Sequence, residues 1–576
     1  MKQKARKAPL PTRTAATIQT WQFPAGLAAA LIFAFQIYSP GINGPFVFDD
    51  LTLPFGGQHA ADLPFRDWLG ARLLLMISYW LNYQLSGEST FSYHVVNVLL
   101  HVANSALVFW IVRKLSGLVA TGEPEQSRWD ILALFAAAIF LLHPVQTEAV
   151  TYIAGRSEGL SVLLFFSALT IFLYRKSRAV SWRVSIGILV LFAAAINTKE
   201  HTAMLPIVLV LTDYFWNPGF SLEGIRRNWR LYLPLAITAI IGILFVLRYL
   251  REAPTVGFHL KDLPWYQYFF TQWRALFVYL RLFLFPVGQN IDYDFAISRT
   301  VFDHGAILGL IGIFLMLGAA IYYRREYRLA SYGFFLSLIL FAPTSSVVPI
   351  ADPIVERRLY LPMLGLLLIL VEFVGRIRWQ PKTMIIVLSS IALAAGFLTY
   401  ERNEVWRSDI ALEADAVLKA PRNPRAHEQL GFAYFFAGRC GEAAREYATA
   451  AQYMTPNYML YLDWGVALDC NKQFDQALEK LRKAAAIVPT AQVYSAMGRV
   501  LSRQSKWDEA LASLDKAVQL DATFARTYIY RGAIHQDTGQ LEAARSDYQL
   551  ALRYDPRNRN ARDLLASIEA ALRSGR

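Results

Sequence analysis

The sequence predicts an all-α chain in two parts, a polytopic helical membrane domain of about eleven spans followed by a solenoid of helical repeats. Three observations carry this. Hydrophobic residues make up 55% of the 576 and charged residues only 18%, where soluble chains run at roughly 45–50% and about 25%. Long apolar runs recur from residue 21 to about residue 400. Beyond residue 401 they stop, and glycine and alanine recur at a fixed period instead. The same composition excludes a disordered chain, a collagen and a disulfide-dense scaffold, since there are two Cys and 33 Gly without a triplet period.

Residues 1–20, with Lys2, Lys4, Arg6, Lys7 and Arg13, read as a basic cytoplasmic tail. No small-residue cleavage motif follows, so the first apolar run is expected to stay as an anchor. Runs near the ~17–25 residues that cross a bilayer fall at 21–38, 93–112, 129–142, 160–174, 184–196, 203–216, 231–249, 304–323, 331–347, 360–375 and 383–400. One more segment, 266–286, is apolar enough to cross but carries Gln267, Gln272, Arg274 and Arg281. An arginine near mid-bilayer costs about 2.5–3.5 kcal/mol on insertion scales. Laid along the interface, the segment leaves eleven spans, with 21 Lys and Arg in cytoplasmic stretches and 12 outside. Made to cross, it would carry Arg324, Arg325, Arg328, Arg376 and Arg378 outward, against the cytoplasmic bias of basic residues. The net charge of +13 sits here, because the first 400 residues hold 33 basic and 22 acidic groups and the remainder 24 and 22. It is a topology signal and not a nucleic-acid footprint.

A linker is expected at 401–422, then repeats over 423–556 and a capping helix at 557–576. Gly431, Gly465, Gly498 and Gly532 recur at intervals of 34, 33 and 34. Ala443, Ala477, Ala510 and Ala544 follow each by twelve residues, and Ala450, Ala484, Ala517 and Ala551 by nineteen. This is the 34-residue tetratricopeptide pattern, in which small residues let paired helices approach. Cys440 and Cys470, the only cysteines, fall at helix ends that neighbour each other in such a stack. A disulfide or two separate buried thiols both satisfy that placement.

In the membrane part, ionisable residues gather in the predicted outer loops. Asp49 and Asp50 lie in FVFDDLTLPF. Adjacent carboxylates in an apolar setting repel and desolvate one another, which raises one pKa and suits a general base or a cation ligand, although a loop turn or helix cap uses the same residues. The second loop, HPVQTEAVTYIAGRSEG, supplies His143, Glu148, Tyr152, Arg156 and Glu158 beside an apolar span. Such groups are costly there unless they line a wet cavity. The third, NTKEHT, holds Lys199, Glu200 and His201, where a salt-bridged turn is the simpler reading. The fifth, SSVVPIADPIVERRLYLP, holds Asp352, Glu356, Arg357, Arg358 and Tyr360. Paired guanidinium forks match a phosphate, or anchor to lipid headgroups. His94, Asn97, His101 and Asn104 form a stripe on one helix face, which reads as interhelical hydrogen bonding.

Taken together, FVFDD, YHVVNVLLH, HPVQTEAVTYIAGRSE, NTKEHTAMLP, FPVGQNIDYDF and APTSSVVPIADPIVERRLYLP, followed by tetratricopeptide repeats, resemble one family. It is the transmembrane and tetratricopeptide-repeat-containing protein O-mannosyltransferases and their bacterial relatives, of the GT-C class of polyprenyl-phosphate-sugar-dependent glycosyltransferases. The resemblance runs from about residue 40 to 560. It implies an inverting transfer of a mannose-like sugar from a polyprenyl-phosphate carrier to a Ser/Thr hydroxyl of a periplasmic protein. The chain would then sit in a bacterial inner membrane with its repeats in the periplasm, the acceptor docking on the repeat groove. It further implies that Asp49 or Asp50 is the base, and that Arg357, Arg358, Lys199, Arg156, His143 and Tyr360 attend the lipid phosphate. Glu148, Glu158 and Glu200 would orient acceptor or sugar, or hold a divalent cation (Mg or Mn); some GT-C enzymes use a metal and others none. The same donor with a glycan or lipid acceptor, and a membrane-anchored repeat scaffold without catalysis, are the rival readings.

Overall fold

The computed structural model describes residues 22–56, 63–70, 72–120, 123–252, 255–260 and 263–574; the expected basic tail at 1–20 lies outside them. The described residues are helical and hold no strand, with one isolated bridge between Val256 and Ile350. They form two compact units that divide between Ala411 and Leu412.

Every apolar run of the first unit is a helix: Gln22–Tyr38, Thr90–Gly117, Glu123–Leu142, Arg156–Leu173, Trp182–Ile196, Leu205–Trp216, Trp229–Glu252, Ala306–Tyr322, Arg328–Phe341, Met363–Arg376 and Pro381–Val405. Among the described residues, five helices are long and apolar enough to cross a membrane, or six if the pair Ser127–Leu142 and Pro144–Val150, bent by 49°, is one span. Several expected spans fall short of that length; Leu205–Trp216 has 12 residues and Met363–Arg376 has 14. Their apolar side chains share one core, from Ala34 and Val108 through Phe165 and Leu209 to Leu367 and Leu388. Other apolar faces stay open, with Leu308, Phe314 and Leu315 of Ala306–Tyr322 each at least 60% exposed. Such a surface is stable against lipid, not water. Close packing uses glycine: a Cβ on Gly365 would meet the Gly333 carbonyl oxygen at 2.3 Å, so only the bare backbone lets those two helices touch.

Charged contacts collect at two opposite ends of this helix array. At one end Arg113 pairs with Asp130 (2.9 Å), Arg175 with Asp213 (2.7 Å) and Arg376 with Glu372 (2.7 Å). Arg328 donates there to the Phe215 carbonyl. The other end gathers the loops that hold the sequence-predicted polar residues. Helix Trp265–Leu284, which covers the ambiguous segment, touches that second end twice. Tyr268 near its start donates to the Thr344 carbonyl, and the Phe283 carbonyl near its finish accepts from His143 Nε2 at 3.0 Å. One face packs on the core through Ala275, Tyr279 and Leu282. Arg274 and Arg281 cap loop carbonyls, those of Ala296 and Val287, each at 2.9 Å.

The segment expected as a linker is largely helical, since Pro381–Val405 runs into it and Asp409–Lys419 follows. The second unit then stacks four helix pairs: Pro424–Phe436 with Cys440–Tyr453, Tyr458–Cys470 with Phe474–Ile487, Ala491–Arg503 with Trp507–Leu520, and Ala525–Asp537 with Leu541–Tyr554. Arg559–Ser574 closes the stack. The phased glycines explain themselves. A Cβ on Gly431, Gly465, Gly498 or Gly532 would lie 2.6–2.8 Å from Tyr447, Leu481, Leu514 or Tyr548 on the partner helix. Cys440 and Cys470 form a disulfide across the first and second repeats, with Cα atoms 5.8 Å apart.

Candidate functional site

The site is built from loops far apart in sequence. In the first, Phe48 adopts a left-handed φ of 49°, and the backbone turns into a short 3-10 segment, Phe48–Thr52. The turn sends the two aspartates opposite ways. Asp50 is fully buried: one carboxylate oxygen accepts from the Val47 N–H at 3.1 Å and the other from the Ala154 N–H at 2.8 Å. Burial, with Asp49 beside it, pushes the Asp50 carboxyl up to about 7 against the pull of those two donors. Asp49 is exposed, and its N–H donates to the Tyr152 hydroxyl at 2.9 Å. The first loop is thereby tied at two points to the second.

Tyr152 is the hub. Its ring meets Phe48 edge-on, stacks on Trp406 at 6.3 Å, and receives the Arg357 guanidinium 5.6 Å from its centre. Arg357 in turn binds Glu148 through both backbone and side chain, its N–H lying 3.0 Å from a carboxylate oxygen. Glu158 pairs with Lys199, which also reaches Ser157 Oγ at 3.2 Å, and His201 Nε2 lies 3.5 Å from the same carboxylate. Glu200 takes a bidentate fork from Arg72, at 3.1 and 2.9 Å. Lys199 feels both Arg357 and Arg72 electrostatically, and burial pulls its pKa down. Three cations are thus gathered at one place, each held by its own carboxylate.

Other predicted residues are placed differently. Arg156 is 1% exposed and wholly occupied by neutral partners: Asn97, Asn82 and the carbonyls of Ser78 and Tyr93, with Tyr79 and Tyr93 against its plane. His143 is buried, donating from Nε2 to Phe283 and accepting at Nδ1 from the Val145 N–H at 3.2 Å. Tyr360 is buried as well; its hydroxyl donates to His101 Nδ1 at 2.8 Å and accepts from Asn104 at 3.1 Å. Asn97 bonds the Val150 and Tyr152 carbonyls, so the polar stripe on Thr90–Gly117 locks the second loop to the helices. Arg358 donates to the carbonyls of Pro353 and Asp352, at 3.0 and 2.7 Å, and among the described residues no carboxylate lies within ion-pair distance of it. Glu356 is buried and accepts from Gln289, the Asn290 N–H and Tyr293 at 2.6–2.7 Å, which anchors the loop carrying both arginines.

Sequence reasoning missed Arg72, Tyr79 and Asn82. They belong to helix Leu73–Ser86 and its approach, and the apolar face of that segment is the signal that could have revealed it. The three glutamates do not fit a divalent ion as they stand, each being engaged by a different group. Among the described residues no three His, Cys, Asp or Glu side chains form a metal-sized cluster.

No family model matches the chain. A protein O-mannosyl-transferase of Caenorhabditis elegans is 24% identical over 450 residues, which are 73% of this chain and 61% of that one. One from Drosophila melanogaster is 23% identical over 496 residues, 73% and 52% of the two chains. A human one is 25% identical over 467 residues, 69% and 62%. The chain therefore spans about half to three-fifths of the length of these curated relatives. Among solved structures, a thermophilic TPR protein of Thermus thermophilus aligns at 22% identity with a TM-score of 0.26, over 32% of this chain and 96% of that one.

Proposed function

We propose that this chain, a relative of the transmembrane and tetratricopeptide-repeat-containing protein O-mannosyltransferases, is itself an inverting glycosyltransferase of the GT-C type. It moves a mannose-like sugar from a polyprenyl-phosphate carrier to a Ser/Thr hydroxyl of a periplasmic protein. The observation that carries this reading is the convergence of four loops, with Asp49, Tyr152, Arg357 and Lys199 joined through Glu148 and Glu158 at one end of an apolar helix array. An inert scaffold has no use for several buried ion pairs at a membrane surface, since each costs desolvation.

An eleven-span topology, with a bacterial cytoplasmic N-terminus and periplasmic repeats, fits the same frame. Both ends of helix Trp265–Leu284 contact the site end, as a helix lying along the interface would. Asp49 is the base, because an acceptor hydroxyl can reach it while Asp50 is sealed in the loop. The acceptor oxygen attacks the anomeric carbon opposite the phosphate and its proton passes to Asp49. The bond from that carbon to the phosphate oxygen breaks, and the lipid phosphate leaves toward Arg358 and Arg357. Arg358 is held by backbone carbonyls and not by an ion pair among the described residues, with Asp352 acting on it only from a distance, so its charge is offset less tightly than that of Arg357. Glu148 positions Arg357, Glu158 positions Lys199, and Arg156, His143 and Tyr360 hold the loops around them.

The test is transfer from polyprenyl-phosphate mannose to a Ser/Thr peptide by purified protein. A positioned base contributes about 10²–10⁴-fold, so Asp49→Asn should lose at least about a hundredfold in rate while still expressing and inserting. Wild-type transfer by that variant would remove Asp49 from the role.

A further inference from the structure

The first helices of the four repeat pairs face a common groove, and a cavity of about 210 Å³ opens in it. Its walls come from Pro424–Phe436, Tyr458–Cys470, Ala491–Arg503 and Ala525–Asp537, with Tyr447 reaching in from a second helix. At one end stand Phe432 and Phe436, 42% and 71% exposed, their ring centroids 4.5 Å apart. Water-facing aromatic pairs are costly in apolar area, and this pair has not been folded into the core. Beside it lies half-buried Asp463, which among the described residues has no hydrogen-bond donor and no cation within ion-pair distance.

Burial, with Glu428 nearby, pushes the Asp463 carboxyl up to about 6. Burial, with the charges of both carboxylates nearby, also pushes the Tyr447 hydroxyl up. Across the groove Arg499 pairs with Asp469 at 2.9 Å and lies over Tyr530, and Arg526 lines the wall of the fourth repeat. The cavity therefore offers negative charge next to aromatic faces at one end, while its own cations, Arg499 and Arg526, stand on the walls of the third and fourth repeats and neither pairs with Asp463. The chemical complement is a cation on an apolar stem, which gains from the ring faces and from the carboxylate together. A groove that crosses four helices suits an extended polypeptide better than a free amine, because the stem and its neighbours then share the apolar wall.

We propose that the repeats bind an extended segment of the acceptor protein through a Lys or Arg side chain seated among Phe432, Phe436 and Asp463. That the segment belongs to the acceptor rests on the transferase reading; the binding itself does not. The experiment uses the full chain in lipid nanodiscs and ten-residue Ser/Thr/Ala peptides with one central Lys, or the same peptides with acetyl-lysine, read by fluorescence anisotropy. The Lys peptide should bind about tenfold tighter. Asp463→Asn should erase that preference and Phe436→Ala should weaken the Lys peptide several-fold, both with an unchanged thermal midpoint. Equal affinity for the two peptides, no binding of either, or a preference that survives Asp463→Asn would each overturn the assignment. Asp49→Asn protein should keep the preference while losing transfer, so a failure of the catalytic reading and a failure of this one are told apart.

Discussion

Asp49 and Asp50 are neighbours with opposite surroundings, and the backbone at Phe48 divides them. The folded pKa of Asp50, about 7, stands far above the ordinary Asp value near 3.9. Between those values the native state holds a proton that the unfolded chain has released. Stability should therefore fall as pH rises from about 4 to about 7 and level off above, by an amount on the order of a few kcal/mol. Asp50→Asn should flatten that slope, whereas Asp49→Asn, which removes a lesser cause than burial, should keep most of it; thermal unfolding across this pH range measures both. The polar loops were legible in the sequence because ionisable groups beside apolar spans demand a reason. Their partners were not. Arg156 has the composition of an anion ligand, yet Tyr79 and Asn82 of an unforeseen helix surround it. Lys199 and Arg357 are claimed by Glu158 and Glu148, contacts that depend on which loops meet and not on local spacing.

At the scale of the element, periodicity was the reliable guide. Eleven apolar runs became eleven helices, and each phased glycine falls on the first helix of a pair, because both signals are local. Helix Leu73–Ser86 is as long as Met363–Arg376, but Ser78, Asn82 and Gln84 interrupt its apolar run, so it does not stand out as one. The repeat glycines give a direct test. Gly498→Ala gains about 1 kcal/mol of intrinsic helix propensity, but its Cβ would meet Leu514 Cγ at 2.6 Å. Overpacking of that kind costs about 1–3 kcal/mol, so the repeat unit should be destabilised in spite of the propensity gain. Adding Leu514→Ala should then cost less in the Gly498→Ala background than in the wild type, a coupling that a double-mutant cycle on denaturant unfolding would expose. If the two changes simply add, the steric account of the phased glycines is wrong.

For the whole molecule, the apolar array, the polar end and the repeat stack each have a counterpart in the sequence, whereas the convergence of the loops belongs to the fold alone. The disulfide between Cys440 and Cys470 adds a piece of bookkeeping on membrane crossings. The two sulfurs belong to the repeat unit, which follows the apolar helices of the first unit, so their oxidation state records which side of the membrane that unit reached. Crossings count by parity. An odd number from a reducing cytoplasm delivers the repeats to the oxidising side, while one more crossing, by Trp265–Leu284, returns them as free thiols. Thiol labelling of native membranes before and after reduction thus reads the parity of the whole chain from two atoms. An unreactive pair that becomes labelled only after reductant supports the odd count, and free thiols in untreated membranes would force an even one.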